Sequence, residues 1–187
     1  KQIFVLNARK RWFSKRFVIN AILADTASVK LKIVIIGGGR MGKAFIEGLS
    51  HSDDNQIHVV EPISSVKTIL KDDYGVVVSS HDDPEIQMNE IVPLCDYVLI
   101  CVKPQTFDQI KGALKNLLSD NQILISIMAG ISTDNLCNEL GIKNAIRIMP
   151  NTPGQIGKGI SVWYKKNKID SKFEEGIKNI LGALGES

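Results

Sequence analysis

Three glycines in the stretch Lys32–Leu49, KIVIIGGGRMGKAFIEGL, carry the first chemical suggestion in this chain. The run KIVII leads straight into Gly37, Gly38 and Gly39, and Gly42 follows after Arg40 and Met41. Glycine weakens strands and helices alike, so three together where one element gives way to the other need a reason beyond turning the chain. Gly37, Gly39 and Gly42 have the spacing G-x-G-x-x-G, which serves phosphate binding when it follows a strand and opens a helix. Gly37 makes the tight turn, Gly39 lets the backbone approach a pyrophosphate with no side chain between, and Gly42 lets helix and strand pack closely. The anion then rests on the free N–H groups and positive dipole end of the helix that begins near Arg40. The expected ligand is a dinucleotide.

A second chemical position closes the next apolar run, in HVVEPIS. At the end of the second strand an acid accepts hydrogen bonds from both hydroxyls of the adenosine ribose, and Glu61 stands there. Its carboxylate would repel a 2′-phosphate, which favours NAD over NADP. Pro62 can turn Glu61 away, and Arg40 or Lys67 can offset its charge. The competing reading is a solvated turn residue.

Three further loops follow strand signals, where ligands bind in such folds. In CVKPQTF, Pro104 restricts Lys103 to an extended conformation. In IMAGIS, Ala129 and Gly130 are small enough to let a nicotinamide or its ribose come close. In RIMPNTPGQIGKG, Pro150 and Pro153 hold Asn151 and Thr152 in a stiff turn. Taken singly, each also reads as a connection that needs small or rigid residues. Lys103 is a poor proton donor at its ordinary pKa and is read as a cofactor-loop residue. No catalytic residue is assigned.

The elements that must position these loops alternate along the chain. Apolar, often β-branched runs stand at KIVII, QIHVV, GVVVSS, YVLICV, ILISIM and AIRIM, and helical spacing at KAFIEGLS, SVKTILKD, TFDQIKGALKNLL and STDNLCNEL. Strands apolar on both faces belong in a parallel sheet covered by helices on each side. The expected fold is α/β: a Rossmann-type, doubly wound, mostly parallel sheet over residues 31–187.

The chain of 187 residues, 44% hydrophobic and 23% charged, suits one such domain with length to spare. Its formal charge of +3 gathers in a basic start that holds Arg9, Lys10, Arg11, Lys15 and Arg16. Beyond Lys32 acids and bases nearly balance, so a small-molecule partner is expected and nucleic acid is not. Cys95, Cys101 and Cys137 lack paired spacing, and His51, His58 and His81 stand alone. The thiols are read as buried and reduced, and no metal site is expected. Residues 1–30 loosely imitate a targeting segment, but their apolar run, Phe17 to Leu23, is too short to span a membrane. They are read as an extension outside the domain, and the protein as cytoplasmic.

Together IIGGGRMGKA, CVKPQ, SIMAGIS and RIMPNTP, in this order and spacing, resemble the N-terminal domain of pyrroline-5-carboxylate reductases. The resemblance covers Leu31 to Ser187. It implies an enzyme of proline synthesis in which NAD(P)H reduces the C=N bond of 1-pyrroline-5-carboxylate to L-proline. It also implies that Ile36, Gly37, Gly38, Gly39, Arg40, Met41 and Gly42 hold the pyrophosphate. Val102, Lys103, Pro104, Ala129 and Gly130 would line the nicotinamide half, with Asn151 beside it. Glu61 departs from the small hydroxyl residues often found at its position in that family. Family members continue into a helical domain that forms the homo-oligomer and binds substrate. That domain is expected to be missing here, leaving this chain able to bind cofactor but inactive alone. The alternatives are a non-catalytic nucleotide-binding module and another imine or β-hydroxyacid reductase.

Overall fold

The computed structural model describes residues 30–52 and 54–186, so all of the N-terminal extension except Lys30 lies outside the described residues. Strands β1 (Lys32–Ile36), β2 (Gln56–Val60), β3 (Val77–Val78), β4 (Tyr97–Ile100), β5 (Ile123–Ser126) and β6 (Ala145–Pro150) run parallel. β7 (Gly159–Lys165) returns antiparallel beside β6, and the short β8 (Gly185–Glu186) closes the edge. The sheet order is β3-β2-β1-β4-β5-β6-β7-β8. The winding reverses between β1 and β4, which opens a crevice at their carboxyl ends.

Burial on both faces explains why the central strands are apolar throughout. Ile33 and Ile35 of β1 pack with Phe45 of α1 (Arg40–Leu49), Leu70 of α2 (Ser64–Tyr74) and Ile180 of α6 (Glu174–Gly182). Val34 and Ile36 face the opposite layer. There they pack with Met88 of α3 (Pro84–Ile91), Phe107 and Leu114 of α4 (Pro104–Leu117) and Leu136 of α5 (Thr133–Leu140). Alternate residues of one strand thus anchor two separate helix layers, the doubly wound arrangement expected from the sequence. Among the described residues, no helix is long and apolar enough to cross a membrane.

Several elements depart from the sequence reading. GVVVSS supplies a strand of only two residues, because β3 is an edge that pairs with His58 and Val59 alone and leaves Val77 52% exposed. Helix α3 has little apolar periodicity and was not anticipated. Its start was nonetheless written in the sequence, for Asp83 accepts from the N–H groups of Glu85 and Ile86, with Pro84 just inside.

β7 is absent from the strands that the sequence reading places. Met149, Val162 and Tyr164 are exposed on the sheet face where β6 and β7 pair, with Ile160 exposed further along β7. An exposed apolar patch of this kind favours self-association. Val162→Lys is therefore expected to lower light scattering over a concentration series, and unchanged scattering would show that this face does not drive association.

Candidate functional site

The site begins where β1 ends. Gly37 has φ +102°, a conformation that side chains disfavour, and its N–H donates to the Val60 carbonyl at 2.9 Å. The turn is thereby tied to the tip of β2. A Cβ on Gly42 would run into the Gly37 carbonyl oxygen, so α1 and the end of β1 touch backbone to backbone. Gly39 differs from both: a Cβ there would meet nothing within 4 Å. No side chain caps α1 and no acid stands in its first turn, so its leading N–H groups are left to receive an anion.

Glu61 is not a solvated turn residue. It is only 7% exposed, and its carboxylate accepts from the Gly38 N–H at 2.9 Å through Oε2 and from the Ile63 N–H at 3.0 Å through Oε1. Pro62 leaves the side chain turned towards the glycine loop. Lys67 does not offset its charge directly: Nζ donates to the His81 carbonyl at 2.8 Å and to Asp82 at 2.6 Å. Its hydrogen bond, with one from Ser64, holds the Asp82 carboxyl below the usual range.

The main chain of Glu61 is held from α3. Gln87 is fully buried; its Oε1 accepts the Glu61 N–H at 2.8 Å and its Nε2 donates to the Glu61 carbonyl at 3.0 Å. Sequence reasoning missed this residue because it missed α3. The Asp83-Pro84 start was the signal that could have found the helix, though not the role of this glutamine within it.

The remaining expected residues lie on the same rim. Ile36 pairs with Val60 on one side and Ile100 on the other, and Ile100 with Ser126, so the strand tips and the loops beyond them are level. Val102 borders the glycine turn, where a Cβ on Gly37 would come within 2.8 Å of its Cγ1. Lys103 is exposed and extended ahead of Pro104, which starts α4. Ala129 and Gly130 are exposed beyond β5, and Gly130 has φ +77°. Asn151 is exposed at the tip of β6, and its Oδ1 accepts from the Ile160 N–H at 3.0 Å to close the turn into β7.

The three cysteines are free, and none has the environment of a nucleophile. Burial, with Asp96 nearby, pushes the Cys95 thiol up to about 12, and burial raises Cys101 and Cys137 as well. Only Cys95 is fully covered, so the buried reading fits Cys101 and Cys137 in part.

Residues 32–130 match the family described as NADP oxidoreductase, coenzyme F420-dependent. The chain is 30% identical over 159 residues to a pyrroline-5-carboxylate reductase of Pasteurella multocida, across 83% of this chain and 56% of that protein. A solved pyrroline-5-carboxylate reductase from Coxiella burnetii aligns with a TM-score of 0.75 at 25% identity, covering 84% of this chain and 58% of that one. The pyrroline carboxylate reductase of Plasmodium falciparum, solved with NADP bound, aligns at 0.67 and 22% identity over 85% and 57%, a likeness of fold alone. The chain spans a little over half the length of the relatives it matches. With the glycine turn, Glu61 and the Val102 loop all inside the matched stretch, and with a pyrroline-5-carboxylate reductase similar over most of the chain's length, the chain belongs to the coenzyme F420-dependent NADP oxidoreductase family.

Proposed function

We propose that this chain is the dinucleotide-binding part of an NAD(P)-dependent pyrroline-5-carboxylate reductase, and that it takes NADH in preference to NADPH. The likeness to pyrroline-5-carboxylate reductases supports the activity, and the observation that carries the cofactor preference is the bond from Gly38 N–H to Glu61 Oε2, which sets a buried carboxylate beside the glycine turn. Each Glu61 oxygen accepts one backbone N–H and keeps a lone pair for a ribose hydroxyl. A 2′-phosphate at the same place would meet that carboxylate.

The residues fit such a ligand. Gly39 leaves open space, and the segment Ile36–Gly42 offers the uncapped start of α1 to the pyrophosphate. Val102, Lys103, Pro104, Ala129, Gly130 and Asn151 would line the nicotinamide half. When bound, the dinucleotide supplies the hydride that an imine carbon accepts. The residues of this chain hold and orient the cofactor, and reduction of pyrroline-5-carboxylate is proposed for the whole protein that contains such a domain. A small-molecule substrate and a cytoplasmic setting belong to the same reading.

Titration calorimetry of the parent and of Glu61→Ser with both cofactors tests it. The parent is expected to bind NADH more tightly. Glu61→Ser should narrow or reverse the preference, and added salt should weaken the discrimination. A parent that prefers NADPH overturns the reading of Glu61 as the residue that selects NADH.

A further inference from the structure

Glu61 stands one residue past the end of β2. The ladder with β1 stops at Val60 and the ladder with β3 at Val59, so neither neighbouring strand pairs the Glu61 backbone. Yet Glu61 is buried, and buried N–H and C=O groups need partners. Gln87 supplies both. Its amide accepts the N–H and donates to the C=O of the same residue, as the next strand of a sheet would. The second Nε2 hydrogen reaches the His81 carbonyl at 2.6 Å, and that carbonyl also takes Lys67 Nζ, so the loop before α3 is locked to the same point.

We infer that Gln87 is a positioning residue for cofactor choice: by pinning the backbone of Glu61 on both sides, it aims the carboxylate at the glycine loop. The inference rests on the reading of Glu61 proposed above. Gln87 touches no cofactor atom in this scheme and acts only through Glu61. A side chain that merely packed α3 against β2 would affect both cofactors alike, whereas one that aims Glu61 affects the choice between them.

Gln87→Met keeps the length of the side chain and removes all three hydrogen bonds. NADH and NADPH affinities are measured by calorimetry on the full chain for the parent, Gln87→Met, Glu61→Ser and the double variant, with thermal unfolding alongside. Gln87→Met is expected to lower the NADH-to-NADPH preference about tenfold, the scale of leaving buried polar groups unpaired. In the Glu61→Ser background the same change should leave the preference within about twofold, the signature of two residues acting as one. Equal weakening of both cofactors, or an undiminished preference, overturns the inference. A parent that prefers NADPH overturns the underlying reading as well, and this is seen before any substitution is made. If Gln87→Met loses the cooperative thermal transition, Gln87→Glu is judged by the same outcomes, since it keeps an acceptor for the Glu61 N–H and lacks the donors.

Discussion

Gly42→Val is expected to cost the chain about 3 kcal/mol or more of stability, the upper range for overpacking a close contact. Here the obstacle is backbone, because a Cβ on Gly42 points into the carbonyl oxygen of Gly37. Gly37 cannot yield easily, since its φ of +102° and its bond to Val60 set the turn. Helix α1 would have to move off β1, and Phe45 and Ile46, both fully buried, would lose their packing. For a domain of this size such a loss lowers the melting temperature by about 6–12 °C. Circular dichroism on heating reads it directly, and a melting temperature within about 2 °C of the parent would show that the strand-to-helix contact is looser than it stands here.

Gly39→Val, only three positions earlier, is expected to do the reverse: to spare the fold and remove the ligand. Gly39 has φ −66° and ψ −169°, which valine tolerates, and its Cβ would project into open space. The cost to stability is that of a poor residue at a helix start, about 1 kcal/mol. If that space is where a pyrophosphate must approach the backbone, the branched side chain fills it. Dinucleotide affinity should then fall at least about tenfold, or about 1.4 kcal/mol. Equal NADH affinity for variant and parent by calorimetry would remove the pyrophosphate from this turn.

What the sequence disclosed and what it hid follow from the range of the interactions. The turn at Gly37, Gly39 and Gly42 and the two-faced apolar strands are local patterns, and they were readable as such. Glu61 was identifiable by its place after β2, but its state depends on Gly38 and Gln87, 23 and 26 positions away. No local pattern marks a glutamine that stands in for a strand. Helix α3 was hidden because its Asp83-Pro84 start precedes a short segment with few buried apolar residues, Met88 and Ile91. β7 was hidden because its alternating apolar residues Ile160, Val162 and Tyr164 are exposed, with no covering layer among the described residues, so alternation did not correspond to a buried side. A proton donor was assigned neither from the sequence nor from the rim of loops.

The strand order has a consequence for how the chain assembles. Every adjacent strand pair in the described sheet joins strands that follow one another in sequence, except β1 and β4. That junction closes the longest loop of any pair, so its entropy must be met before its contacts give anything back. The sheet can be viewed as two units, β1 to β3 and β4 to β8, each built from near neighbours and then docked along one seam. The glycine turn lies on one side of the seam and the Val102 loop on the other. A dinucleotide laid across both would bind only the docked arrangement and favour it by mass action, so the ligand would act as a folding partner that holds the two units together in proportion to its concentration.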